Sequence, residues 1–163
     1  MMYTPEQLER RNRSPWTKAQ FILAPIQFIV FIISFALVIR YLATGEGYWI
    51  ATVSVWIKIA LIWALTITGM LWEHDIYGKY FMAREFFWED LGNLIAILTH
   101  NAYFVAVWLH LDSRTVMWVM VFAYVTYFFN AGQFLWRGIR SAKERRLLQA
   151  QLQAQSAGAA KTS

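Results

Sequence analysis

Long apolar runs separated by short polar clusters set the pattern of this chain. Residues 19–39, 91–111 and 115–136 contain no Asp, Glu, Lys or Arg, and residues 47–72 are interrupted by Lys58 alone. A bilayer core of about 30 Å takes about 20 helical residues to cross, so each run predicts one transmembrane helix. Strands are excluded, because four strands cannot close a barrel and open edges leave unpaired peptide groups in lipid. The expectation is an all-α integral membrane four-helix bundle. It forms a single four-span domain over residues 1–146, with spans near 20–40, 48–72, 91–111 and 115–136. Residues 144–155 (ERRLLQAQLQAQ) are strong helix formers, so the last helix is expected to extend past the domain. Within the 147–163 tail, SAGAAKTS (156–163) reads as disordered. Thr4-Pro5-Glu6-Gln7 carries a capping box with proline at the first helical position, and Ser14-Pro15 repeats the start signal. The first apolar run follows a basic polar stretch and is too long for a signal-peptide core, which argues against a cleaved leader. No internal repeat is present.

The placement of Lys and Arg orients the bundle. Arg10, Arg11, Arg13 and Lys18 precede the first span, and Lys79 and Arg84 lie in the middle loop. Arg137, Arg140, Lys143, Arg145, Arg146 and Lys161 follow the last span, against only Arg40 and Arg114 in the other two loops. That bias predicts that both termini and the middle loop are cytoplasmic. The basic tail therefore reads as a topology signal beside anionic headgroups, with no nucleic acid as partner. Composition agrees: 58% of residues are hydrophobic and 15% charged, with 9 Trp, 8 Tyr and 12 Phe. Those values exclude a soluble domain and a disordered chain. The absence of cysteine excludes disulfides, thiolate metal sites and a cysteine nucleophile.

Polar residues inside a membrane are costly, so their faces are informative. At 100° per residue, Gln20, Gln27 and Ser34 share a stripe on the first span, and Ser54, Lys58, Gly69 and Glu73 share one on the second. Glu89, Asn93, Ala96, His100 and Tyr103 share one on the third, with Asp90 and Asn101 on the neighbouring stripe. Thr126, Asn130, Gln133 and Arg137 share one on the fourth. Turning all four stripes inward gives a bundle with a partly polar interior, and Gln27, Asn93, Asn130 and Gln133 all fall in its cytoplasmic half. Lys58 and His100 fall near mid-membrane, where a lysine can snorkel or pair with a carbonyl. The carboxylates Glu73, Asp75, Glu89 and Asp90 crowd the cytoplasmic mouth, interleaved with Tyr77, Tyr80, Phe81, Phe86, Phe87 and Trp88. Interhelical hydrogen bonding alone accounts for many such Asn and Gln residues, and an interfacial belt for many such aromatics.

Several chemistries fit poorly. No helix is broken at mid-depth as in transporters. His100 and His110 lie on one helix at different depths, which disfavours a bis-histidine haem. No nucleotide loop, Ser/His/Asp triad or His-rich di-metal motif is present. What remains is acid–base chemistry by carboxylates and His on an apolar substrate drawn from the membrane.

The stretches YTPEQLERRNRSPWT, LAPIQFIVFIISFALVIRYLATGEG, TGMLWEHDIYGKYF, FFWED, HNAY and NAGQFL, in this order and spacing, resemble the 3-vinyl bacteriochlorophyllide hydratase family from about Tyr3 to about Arg146. The resemblance implies a multi-pass lyase of the bacterial inner membrane in bacteriochlorophyll synthesis. Such an enzyme hydrates the C3 vinyl group of chlorophyllide a or 3-vinyl bacteriochlorophyllide a to a 1-hydroxyethyl group. It implies no cofactor beyond the Mg that the substrate carries, and partners limited to the pigment, the lipid bilayer and neighbouring pigment-synthesis enzymes. A non-catalytic pigment-binding subunit is the alternative. It needs an apolar cleft and a ligand such as His100, and leaves the cluster of mouth carboxylates unexplained.

The product dictates what a hydratase needs. The hydroxyl ends on the carbon beside the ring, so the proton goes to the terminal CH2 and positive charge develops next to the macrocycle. That requires a proton donor, a negative environment and a base for water. Glu89 and Asp90 are the first candidates for donor and Glu73 the next, with His100 as base or as ligand of the substrate's Mg. Gln27, Trp88, Asn93, Asn101, Tyr103, Asn130 and Gln133 are candidate substrate-binding residues.

Overall fold

The structure is a computed structural model that describes residues 3–159. The described chain forms five helices: α1 (Pro5–Arg13), α2 (Pro15–Thr44), α3 (Tyr48–Tyr77), α4 (Phe87–Trp108) and α5 (Ser113–Ala159). Among these, α2 to α5 are each long and apolar enough to cross a membrane. The expected start signals work as written. Thr4 and Gln7 close the capping box on α1, and Ser14 caps α2 by accepting from the Trp16 N–H. Gly45 and Gly47 take left-handed φ values of 77° and 80° and turn the chain between α2 and α3. At the α4–α5 turn, Asp112 accepts from the N–H groups of Arg114 and Thr115, both at 3.1 Å. Hydrogen bonding from Thr115 holds its carboxyl below the usual aspartate range.

Helix ends depart from the predicted spans in several places, and two departures matter here. The third span runs from Phe87 to Trp108, four residues earlier at its start than expected, so Glu89 and Asp90 lie within its first turn. Helix α5 continues through 156–159, where disorder was expected, because Ala- and Gln-rich sequence extends a helix once one is nucleated. Residues 160–163 lie outside the described part.

Helices α2 and α3 form one antiparallel hairpin and α4 and α5 another, and the hairpins pack side by side. Gln20 meets Thr68 at 2.7 Å and Ser34 meets Ser54 at 2.7 Å, which fixes the register of the first pair. Across the α3–α4 seam, Asn93 donates to Thr66 at 3.1 Å and Trp56 donates to Tyr103 at 3.1 Å. The distal end, bearing the α2–α3 and α4–α5 turns, is tied by Tyr41 to Ser113 at 2.6 Å and by Arg114 to the Leu42 carbonyl at 2.9 Å. The proximal end carries α1, the α3–α4 loop and the α5 extension. Between them apolar side chains, most of them small (Val38, Ala51, Val55, Ala96, Met120, Ala123), are fully buried, while Phe21, Trp118, Phe122 and Phe129 stay exposed on the outer face. An apolar outer surface against a close-packed interior is what a bundle in lipid requires, since packing and interhelical hydrogen bonds drive its assembly.

Candidate active site

The proximal end gathers the carboxyl groups. Glu73 sits one turn before the end of α3 and Asp90 in the first turn of α4, and each is only 4% exposed. The loop between them folds back over both. Met82 adopts a left-handed φ of 53°, which turns two successive peptide N–H groups inward. The Met82 N–H donates to Asp90 Oδ2 at 2.8 Å and the Ala83 N–H to Glu73 Oε2 at 3.2 Å. Successive N–H groups of this kind form an anion-binding concavity. The two carboxyl groups face each other at close range. Two carboxyl groups brought together out of water favour holding one proton between them, because two charges so placed repel.

Aromatic and cationic groups wall the pair. Phe86, 4% exposed, packs edge-on against Trp72 with ring centroids 5.2 Å apart, and the Arg137 guanidinium lies 3.7 Å from its ring centre. Arg137 also donates to the Glu85 carbonyl and stands 3.6 Å from the Glu89 carboxylate. Two amides of α5 clip the start of α4: Asn130 donates to the Glu89 carbonyl at 2.9 Å and Gln133 to the Trp88 carbonyl at 3.2 Å.

The sequence reading placed Glu89 on the inward stripe and Asp90 beside it. The structure reverses them: Asp90 faces the bundle and meets Glu73, while Glu89 turns to α5 and pairs with Arg137. Farther along α4 the predicted stripe holds, since Ala96, His100 and Tyr103 are buried, and only the first turn departs from it. The Thr126–Asn130–Gln133 stripe lies in the α4–α5 contact, where Thr126 meets Thr99 at 2.8 Å. Gln133 is exposed, lining a shallow outer groove with Gly92, Ile95 and Phe129.

A second polar group lies deeper. His100, Gln27 and Lys58 are all 0% exposed. His100 Nδ1 lies 2.7 Å from the Ala96 carbonyl. A carbonyl only accepts, so Nδ1 carries the hydrogen and Nε2 presents a bare lone pair. That Nε2, both polar amide atoms of Gln27 and Lys58 Nζ have no hydrogen-bond partner among the described residues. Lys58 does not snorkel: its Nζ lies 3.3 Å from the centre of the Tyr127 ring. Along α4, Asp90 and His100 are ten residues apart, about 15 Å of helix, so the two groups cannot act on one small substituent together. Asn93 and Thr66 lie between them.

The remaining candidates scatter. Trp88 is 69% exposed. Asn101 spends its amide on the Ile97 carbonyl of its own helix at 2.8 Å. Tyr103 belongs to the distal half with Trp56. The peptide N–H groups of Met82 and Ala83 were missed and carry no side-chain signal. Arg137 was on the correct stripe, four residues after Gln133, but had no role.

Residues 3–140 match the family model described as 2-vinyl bacteriochlorophyllide hydratase. The chain is 44% identical over 155 residues to the 2-vinyl bacteriochlorophyllide hydratase of Rhodobacter capsulatus, covering 95% of this chain and 85% of that relative. It is 47% identical over 136 residues to the protein of the same name from Cereibacter sphaeroides, covering 83% and 85%. No solved structure matches the chain. With a family model matched over most of its length and two relatives this similar, the chain belongs to the 2-vinyl bacteriochlorophyllide hydratase family.

Proposed function

We propose that this chain hydrates the ring vinyl group of a bacteriochlorophyllide or chlorophyllide with the Glu73–Asp90 pair as its acid–base centre. The numerals 2 and 3 used for this vinyl group name the same macrocycle carbon under two numbering schemes. The observation that carries the reading is the juxtaposition of two buried carboxyl groups beneath the 82–83 loop; in this reading the pair holds one proton. One member gives its proton to the terminal CH2, and the positive charge forms on the carbon joined to the macrocycle, which delocalises it. The other member, still ionised, takes a proton from water as the water oxygen bonds to that carbon. The vinyl group has gained H and OH, and the pair again holds one proton. Transfer of that proton between the two carboxyl groups restores the starting state. The net negative charge of the pair also favours the cation.

The apolar disc then lies inward from the mouth, between the two hairpins. His100 Nε2, with its lone pair free, is the candidate ligand for the substrate's Mg in this reading, on the bundle side of the carboxyl pair. Both termini and the α3–α4 loop face the cytoplasm in this reading, supported by the Lys and Arg bias, and the bilayer is the bacterial inner membrane. No cofactor is invoked, since proton transfer and water addition balance without one.

The test is incubation of membranes containing the protein with chlorophyllide a, followed by mass analysis. Gain of the mass of one water at the vinyl group is expected from the wild type and not from Asp90→Asn. Unchanged pigment with the wild type, or full hydration by Asp90→Asn, sinks the reading.

A further inference from the structure

The reaction above uses neither Lys58 nor Gln27, yet both are fully buried and without a hydrogen-bond partner among the described residues. Lys58 Nζ is fully buried at the centre of four helices, with the Tyr127 ring at 3.3 Å and the Phe31 ring at 5.9 Å. Aromatic faces attract a cation, but they do not accept its N–H bonds as an oxygen does. Buried charges are ordinarily paired, because leaving water costs far more than ring faces return. No carboxylate or carbonyl accepts from Lys58 among the described residues. Gln27 shares the level. With Gln20 on Thr68 and Ser34 on Ser54, the antiparallel register sets Gln27 opposite Leu61, about 4.5 Å along α3 from Lys58. His100 lies within electrostatic reach of Lys58 from the facing hairpin.

The hydrogen-bonding character of the group selects its ligand. Lys58 and the Gln27 amide offer N–H donors, while His100 Nε2 offers a lone pair. A free inorganic anion would satisfy the donors and be repelled by the lone pair. A metal ion would satisfy the lone pair and leave the N–H donors of Lys58 and Gln27 without an acceptor. A single ligand holding an electrophilic centre and, set around its edge, a carboxylate satisfies both. A bacteriochlorophyllide is such a molecule: its Mg takes a lone pair, and its carboxylic acid is unesterified. Resting on the hydratase reading above, we infer that Lys58, assisted by Gln27, binds the free carboxylate of the macrocyclic substrate inside the bundle and selects the acid over its ester.

The bundle has a way in. Ser34 hydrogen-bonds Tyr124 of α5 at 2.6 Å; from Pro15 to Ile33 no hydrogen bond joins α2 to α5 among the described residues, and there the seam is closed by ring contacts, Phe31 to Tyr127 at 5.0 Å and Phe31 to Phe128 at 6.4 Å. Pro25 lies within this stretch of α2. It has no N–H to give the preceding turn, which weakens the helix there. An apolar disc entering from the lipid displaces only dispersion contacts with other apolar groups.

The experiment compares chlorophyllide a with its methyl ester as substrates, using the full chain in membranes or detergent. Wild type should favour the acid in kcat/KM by at least about thirtyfold, the low end for a buried charged pair. The difference should fall mainly in KM. In Lys58→Met, which keeps the volume without the charge, the acid-over-ester ratio should drop to about one, and in Lys58→Arg much of it should return. A wild type that hydrates acid and ester equally overturns the inference and leaves the hydratase reading standing, whatever the variants do. A Lys58→Met protein that keeps the wild-type ratio also overturns it. Hydration of neither pigment by wild type overturns both.

Discussion

Glu73 and Asp90, from the end of α3 and the start of α4, meet as two buried carboxyl groups, each anchored by a peptide N–H of the 82–83 loop. The arrangement gives one site both a proton to donate and a base to receive one. Asp90→Asn and Glu73→Gln keep the shape and remove one or the other. Each should lower kcat at least ~100-fold, the low end for general acid–base catalysis. Because the two act as a unit, the double variant should be little worse than either single one. Additive losses would show that the carboxyl groups work independently. Pigment binding, followed by absorbance, should persist in all three.

Glu89 provides the contrast on the same turn. Its carboxylate stands 3.6 Å from Arg137 and turns away from the pair. Glu89→Gln should therefore lose far less than the ~100-fold expected of a proton donor. A loss as deep as that of Asp90→Asn would return Glu89 to the mechanism.

How much of this was legible in the sequence depends on what fixes each feature. The four spans follow from uncharged runs whose length is set by the bilayer, and α1 and α2 start where Thr4 and Ser14 place their caps. The inward polar faces of α2 and α3 were also readable, because Gln27, Ser34 and Lys58 recur at helical spacing and are buried. On α4 the stripe of Ala96, His100 and Tyr103 was readable too and is buried, but the first turn was not. There Glu89 and Asp90 lie on adjacent stripes, and Asn130 and Gln133 clip the Trp88 and Glu89 carbonyls with Asp90 turned inward. A hydrogen bond to a peptide carbonyl leaves no pattern in the residues that supply it. The left-handed Met82 was equally hidden, since glycine is the usual marker of that conformation.

Topology can be checked independently. Reporter fusions after Ser163 and within the Thr44–Tyr48 turn should report opposite sides of the membrane, with the C-terminal fusion cytoplasmic, as the Lys and Arg bias requires. Reports from the same side would break the four-span arrangement.

The α4–α5 clip makes the last prediction. Gly92 sits where a Cβ would collide with Gln133 Oε1 and Asn130 Nδ2, whereas one at Gly132 meets nothing within 4 Å. Both glycines are helical, so helix propensity alone would make either Gly→Ala change stabilising by roughly 0.5–1 kcal/mol. At Gly132 that gain should appear as a small rise in thermal stability with activity unchanged. At Gly92 the two amides must swing away from the Trp88 and Glu89 carbonyls, losing hydrogen bonds worth roughly 0.5–1.5 kcal/mol each. Gly92→Ala should thus be neutral to destabilising, and Gly92→Val worse, because its branched side chain leaves the amides no room to reseat. The clip also sets the rotation of α4 that aims Asp90 at Glu73. Loss of it should lower kcat by more than the change in stability accounts for, measured at a temperature where the variant remains folded. If Gly92→Ala raises stability as Gly132→Ala does and leaves kcat intact, the clip does not hold α4 in register and the orientation of Asp90 has another cause.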